Sequence, residues 1–420
     1  MKKIVWLWAL LLSQQAFSQI KTFVAAKPEE AGMSSVRLAK IDRLVNDGIN
    51  RQWIPGAVVF IARNGKTVYH KAYGYSDKEE KRDMKKDDIF RIASQTKAIT
   101  SLAVMMLFED GKFLLDDPIS DYIPEFKNPK VLVSLDWQDT TYSTQHAKSE
   151  ITIRQLLTHT SGLDYANIGS QEFNAIYAKA GIPSGIGNHN MILADKIKAL
   201  TALPLKHNPG ENFTYSLSYD VLGYLVEVLS GMSFDQFLKT RIFQPLGMND
   251  TYFYLPKEKQ NRLVALYEAK DERLQKVNHP IFDGANPEYP KLEGRYYSGG
   301  AGLSSSIEDY AKFLQLFLNK GEYNGVRLLS RKTVELMLTN HVQLPIDYPF
   351  GLGFGLETEK NDYQSIYSSG SFSWGGAFST QYWADPKENL VGLIYLNLYS
   401  YSDHKLKNKF KILTYQAIID

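Results

Sequence analysis

Ser94-Gln95-Thr96-Lys97 sets a hydroxyl and an amine three residues apart, a spacing that puts both side chains on one face of a helix. A serine hydroxyl is a weak nucleophile until a base takes its proton, and a lysine can serve as that base once its surroundings favour the neutral amine. The chemistry suggested is attack by an activated serine oxygen. The pattern alone says little, because two common residue types three apart occur about twice by chance in a chain of this length. The second instance, Ser402-Asp403-His404-Lys405, precedes Leu406, Phe410, Ile412 and Leu413 and reads as the N-cap of a surface helix.

The elements that must hold Ser94 set it apart. Phe90-Arg91-Ile92 approaches as a strand, and Ala98 to Phe108 is apolar on nearly every face of a helix, with Gly111 placed to close it. Such a helix has no solvent side. Ser94 lies at its amino end, where unpaired N–H groups and the helix dipole favour negative charge.

Composition narrows the possible chemistry. The chain has no cysteine, which excludes disulfides, thiol nucleophiles, Cys-based metal sites and lipoprotein anchoring. No metal-binding cluster and no cofactor motif is expected. Met1-Lys2-Lys3, the apolar run Ile4 to Leu12 and Ala16-Phe17-Ser18 read as a secretory signal over 1–18, cleaved after Ser18. The mature protein is therefore expected in the periplasm or medium, with no stable membrane insertion. Without Lys2 and Lys3 the formal charge of +2 falls to zero, which argues against nucleic-acid and anionic-membrane partners.

Ser34-Ser35 precede a helix carrying Leu38, Ile41, Leu44, Val45 and Ile49. Gly56–Arg63 and Thr67–Gly74 then read as a hairpin turned at Asn64-Gly65. Thr152 caps a helix expected to run through His159 to Gly162, with His159 a packed histidine. Tyr219 to Leu229 is an apolar helix stopped by Gly231, and Ser233-x-x-Gln236 and Ser305-x-x-Glu308 cap two more. Phe378–Ala384 and Leu390–Leu396 form a hairpin around a five-residue loop, Asp385 to Asn389. The fold class expected is α/β, an α+β sandwich. One antiparallel sheet is built from both chain ends and flanked by helices (19–112 and 297–420), with a mostly helical domain inserted over 113–296.

Four motifs taken in order, Ser94-Gln95-Thr96-Lys97, Ile151 to Leu163, Pro209-Gly210-Glu211-Asn212-Phe213-Thr214-Tyr215-Ser216 and Trp374-Gly375-Gly376-Ala377, resemble the serine β-lactamase and penicillin-binding-protein superfamily. Within it the chain is most similar to class C β-lactamases and the β-lactamase-like carboxylesterases. The resemblance runs from about residue 30 to the C-terminus and implies a cleft between the two domains. It makes Ser94 the nucleophile, Lys97 its base partner and Tyr215 the phenol that relays the proton to the leaving group. The backbone N–H groups of Ser94 and Ala377 form the oxyanion hole, and Trp374, Gly375, Gly376 and Leu217 face the substrate.

Two positions depart from the family pattern. Leu217 stands where its Asn would be, and Trp374 where its Lys or His would be. Neither offers a partner for a carboxylate, although Arg295 or Lys291 could supply a cation. The function expected is a secreted serine hydrolase, a carboxylesterase on neutral short-chain ester substrates. The alternatives are a β-lactamase or D-amino-acid peptidase acting on an amide, or a penicillin-type binding protein that is acylated without turnover. No Gly-x-Ser-x-Gly elbow and no His-Glu-x-x-His are present, which disfavours an α/β-hydrolase or a metalloenzyme.

Overall fold

The computed structural model describes residues 22–270, 273–346, 349–399 and 404–420. The signal sequence read over 1–18 and the cap read at Ser402 lie outside these residues.

All eight residues of the Gly56–Arg63 strand are buried, and their alternation divides two cores. Val58, Phe60 and Ala62 face one, while Ala57, Val59 and Ile61 face the other. The chain returns at Asn64 and Gly65, both with positive φ, as a two-residue hairpin requires, into Lys66–Asp77. Leu390–Tyr395 pairs on the other side of Gly56–Arg63, followed outward by Thr380–Asp385, Phe372–Gly376 and Gly355–Leu356. Both chain ends thus build one sheet. It is mixed, because Val24–Ala25 pairs parallel to Lys66-Thr67 at the edge.

Ser35–Asn50, capped by Ser34, packs with Leu406–Tyr415 on one face of the sheet, burying Leu38, Ile41, Val45 and Phe410. The other face carries Ile307–Leu318 and, behind it, Thr96–Glu109, of which every residue from Thr96 to Leu107 is buried. At about 1.5–3 kcal/mol for each large apolar side chain, burial on all sides fixes the position of that helix. Gly111, at φ +68°, ends it by donating to Phe108 O at 3.0 Å.

Beside its helices the 113–296 stretch contains the hairpins Lys130–Leu135 with Tyr142–His146 and Tyr267–Lys270 with Arg273–Lys276. Its strand Thr251–Tyr252 joins Ser304–Ser306, which pairs in turn with Ile89–Arg91. Three narrower expectations need correction. The helix capped by Thr152 ends at Leu157, because the chain turns away to pair with the following loop. Thr214 N–H donates to His159 O at 2.8 Å, and Gly210 N–H to Thr160 O at 2.8 Å. Ser306, not Ser305, caps Ile307–Leu318: its Oγ accepts from Asp309 N–H at 3.3 Å, while the Ser305 hydroxyl is engaged by Thr251 Oγ1 at 2.8 Å and Ser306 O at 3.0 Å. In the last hairpin Asp385 pairs with Leu390, which leaves Pro386 to Asn389 as the loop. The preceding tip, Ala377 to Ser379, is a turn in which Ser379 N–H donates to Gly376 O at 3.0 Å.

Candidate active site

The strand Ile89–Arg91 delivers the chain to a short 3-10 turn, Ala93–Gln95, that leads into the buried helix. Ala93 sits at φ +41° with no exposure, a left-handed conformation that costs about 1–2 kcal/mol for a residue with a Cβ. Its neighbours hold it there. Tyr395 Oη donates to Gln95 Oε1 at 2.7 Å, Tyr310 Oη to Gln95 O at 2.8 Å, and Leu303 N–H to Thr96 Oγ1 at 3.1 Å. Arg91, also fully buried, donates to Val264 O at 2.7 Å and twice to Pro287 O. Strain that the surroundings enforce is a mark of functional sites, and here it aims Ser94.

Lys97 Nζ lies 3.4 Å from Ser94 Oγ, 3.5 Å from Tyr165 Oη and 2.8 Å from the Gly300 carbonyl oxygen. The side chain is 2% exposed and enclosed by aromatic faces. Its Nζ stands 4.5 Å from the Tyr215 ring centroid, 5.3 Å from Tyr165 and 5.9 Å from Tyr219. Such faces stabilise positive charge in a water-poor site.

Tyr215 stacks on Tyr165 at 5.6 Å and 17°, and its other ring neighbours are Trp374 at 5.8 Å and His159 at 4.6 Å. The Tyr215 hydroxyl is buried without a hydrogen-bond partner among the described residues. A phenol left unsatisfied in this way has a cost, and an incoming oxygen atom would remove it. His159 is packed as expected. Its Nδ1 accepts from Ser216 N–H at 3.2 Å, so the ring proton sits on Nε2. Burial, reinforced by Lys97, pushes its pKa well below the usual histidine range.

Sequence reasoning missed three participants. Asp220, on the helix Ser218–Ser230, is fully buried, and its Oδ1 faces Gly300 N–H at 3.4 Å. Burial raises its pKa to about 6, against the pull of the Ser298 hydroxyl and Lys97. Tyr165 is pushed well above the ordinary tyrosine pKa by burial and then by Tyr215, Asp220 and Asp283. Gly300 joins these groups: a Cβ there would lie 3.3 Å from Tyr165 Oη and 3.5 Å from both Asp220 Oδ2 and Lys97 Nζ. A carboxylate at the start of the apolar run Tyr219 to Leu229, which also carries Glu227, was the available signal for Asp220. Tyr165 carried none.

On the other side of Ser94, a Cβ on Gly376 would stand 2.3 Å from Ile92 O. Only glycine lets the Phe372–Gly376 strand approach the serine turn so closely. Ala377 follows at the exposed hairpin tip, while Gly375 and Trp374 are half-buried. Trp374 packs edge-on to Phe350 at 5.4 Å. Leu217, 2% exposed, lies in the main apolar core and donates its N–H to Asp164 O at 3.2 Å. Tyr215, partly buried, packs against the same core. Neither candidate cation is among the groups around Lys97. Lys291 pairs with Glu288, and Arg295 lies exposed in a depression with His189, Asn190 and Tyr297. Among the described residues no cluster of His, Asp or Glu could hold a metal ion, and no helix is long and apolar enough to cross a membrane.

The family model described as Beta-lactamase matches residues 41–416. The chain belongs to the β-lactamase family. An uncharacterised protein of Mycobacterium tuberculosis is 34% identical over 358 residues, covering 82% of this chain and 85% of its own. Esterase EstB of Burkholderia gladioli is 28% identical over 373 residues, covering 86% and 90%. Among solved structures, EstCE1, described as a hydrolase with promiscuous acyltransferase activity, superposes with a TM-score of 0.76 at 26% identity, covering 90% of this chain and 99% of its own. This β-lactamase-family hydrolase thus keeps a serine and a lysine in contact at the head of a buried helix, with an indole at the edge of the site.

Proposed function

We propose that this protein is an exported serine esterase that forms an acyl-enzyme on Ser94. The observation that carries the reading is Lys97 Nζ, 3.4 Å from Ser94 Oγ and 4.5 Å from the Tyr215 ring. In its neutral form Lys97 takes the serine proton as Oγ bonds to the ester carbonyl carbon. The carbonyl oxygen becomes an oxyanion facing the N–H groups of Ser94 and Ala377, where each donor is typically worth about 3 kcal/mol. The proton then passes through Tyr215 Oη to the leaving alkoxide oxygen as its bond to carbon breaks. Water repeats the sequence on the acyl-enzyme, giving the acid and restoring the serine. Export rests on the basic, apolar and small-residue pattern before Gln19, and a mature N-terminus at Gln19 would test it.

Trp374 decides the substrate class within this reading. It supplies neither a full charge nor a carboxylate fork, and Lys291 is paired elsewhere. An anionic β-lactam would be desolvated here without a partner, whereas a neutral ester can lay its alcohol portion on the indole face. The names of EstB and EstCE1 support the same direction. kcat/KM for p-nitrophenyl butyrate should exceed that for a chromogenic cephalosporin by at least about a hundredfold, roughly 2.7 kcal/mol of transition-state preference. Parity, or preference for the cephalosporin, contradicts the proposal. A cephalosporin adduct that persists with no ester turnover would instead point to a binding protein.

A further inference from the structure

Phe282 is a half-buried aromatic residue at φ +44°. The left-handed region is a genuine outlier for a bulky side chain with no polar atom to bond locally. Two hydrogen bonds between Ile281 and Ala285, at 2.9 and 2.8 Å, close the loop beneath it. Asp283 anchors the tip by accepting from the Asn167 side chain and from Ser184 N–H. The ring meets Phe378 edge-on at 6.0 Å and Tyr399 at 5.4 Å. Phe378 directly follows Ala377. It shares an apolar cluster with Ala93, the residue before Ser94, and with Ala301, the residue after Gly300. The strained loop thus packs against an apolar cluster that reaches the residue before the nucleophile, and part of its aromatic face stays open.

The two sides of the site differ in chemistry. Lys97, Tyr215 and Trp374 lie together, and the leaving oxygen must reach them to be protonated. The acyl substituent, on the opposite side of the carbonyl carbon, is directed away from them. We propose that Phe282, braced by Tyr399 and Phe378, is the acyl-binding wall of this enzyme and selects esters of apolar acids longer than acetate. This rests on the esterase reading above. Strain at Phe282 is then retained because the ring is needed where the backbone alone would place a glycine.

The test compares p-nitrophenyl acetate with p-nitrophenyl butyrate, and 1-naphthyl acetate with p-nitrophenyl acetate, in the wild type, Phe282→Ala, Phe282→Gly and Phe282→Tyr. A methylene in a formed apolar pocket is commonly worth about tenfold or more. The butyrate-to-acetate ratio of kcat/KM should therefore fall at least about tenfold in Phe282→Ala and Phe282→Gly and recover in Phe282→Tyr. The ratio between the two alcohols should hold. Phe282→Gly suits φ +44° and should melt no lower than Phe282→Ala, which keeps one folded variant available. An unchanged acyl ratio, equal losses on every ester, or losses that follow alcohol size would overturn the proposal. Turnover that survives Ser94→Ala would instead overturn the esterase reading, and the acyl wall with it.

Discussion

Lys97 Nζ donates to the Gly300 carbonyl at 2.8 Å, a shorter contact than its 3.4 Å approach to Ser94 Oγ. A backbone carbonyl from the Ser298–Leu303 segment therefore holds the amine in place, and the same glycine presents its N–H to Asp220. The lysine is fixed by one element and the serine by another. Their alignment depends on how the two pack.

Lys97 and Tyr215 should behave as one proton-transfer unit. Lys97→Ala and Tyr215→Phe should each lower kcat by about 10²–10⁴, the usual range for a positioned acid or base. The double variant should fall little further than the worse single one. Among the described residues the Tyr215 hydroxyl has no hydrogen-bond partner, so Tyr215→Phe should leave the melting temperature unchanged or slightly raised. Near wild-type turnover in Tyr215→Phe would reduce Tyr215 to a packing residue.

Asp220 should leave a pH signature on both activity and stability. Its folded pKa is raised to about 6 from 3.8, by burial above all. Between about pH 4 and pH 6 the native state therefore keeps a proton that the unfolded chain has lost. Stability should fall over that window by about 3 kcal/mol and stay level above it. Asp88, also raised to about 6 by burial, adds a similar slope. Denaturant unfolding across pH should show Asp220→Asn gaining on wild type by about 3 kcal/mol between pH 4 and pH 7. Ionised Asp220 also favours the positive charge that Lys97 gains in the transition state, so wild-type kcat/KM should rise through about pH 6. A profile identical in Asp220→Asn would show that the carboxylate does not act on Lys97.

The two glycines after Trp374 should differ sharply. A Cβ on Gly376 would lie 2.3 Å from Ile92 O and 2.4 Å from Thr380 Oγ1, whereas one on Gly375 would come no closer than 3.2 Å, to Thr380 O. Gly376→Ala must displace Ala377 from the serine turn, and loss of one oxyanion donor costs about 10²–10³ in kcat. Gly375→Ala should keep kcat within about tenfold. Equal effects in steady-state assays would mean that the close approach at Gly376 does not set the oxyanion geometry.

The helices and the central sheet were legible because their signals are local. An all-apolar run closed by Gly111, Ser34 as a cap and Asn64-Gly65 between alternating strands each fix a short piece of chain. The helix after Thr152 was read too long because its end is decided by bonds to Gly210 and Thr214, some fifty residues away. Ser94 and Lys97 could be found for the opposite reason, since one turn of helix sets their spacing. Tyr165, Asp220 and Gly300 come from three separate segments and meet only on folding. The strain at Ala93 and Phe282 is tertiary in the same way, as neither residue type advertises a positive φ.

Covalent labelling of Ser94 tests the account most directly. The intact mass of the protein treated with a fluorophosphonate should increase by one adduct, peptide mapping should place it on Ser94, and Ser94→Ala should take up none while melting close to wild type. An adduct on another serine such as Ser161, or full labelling and turnover in Ser94→Ala, would contradict the account.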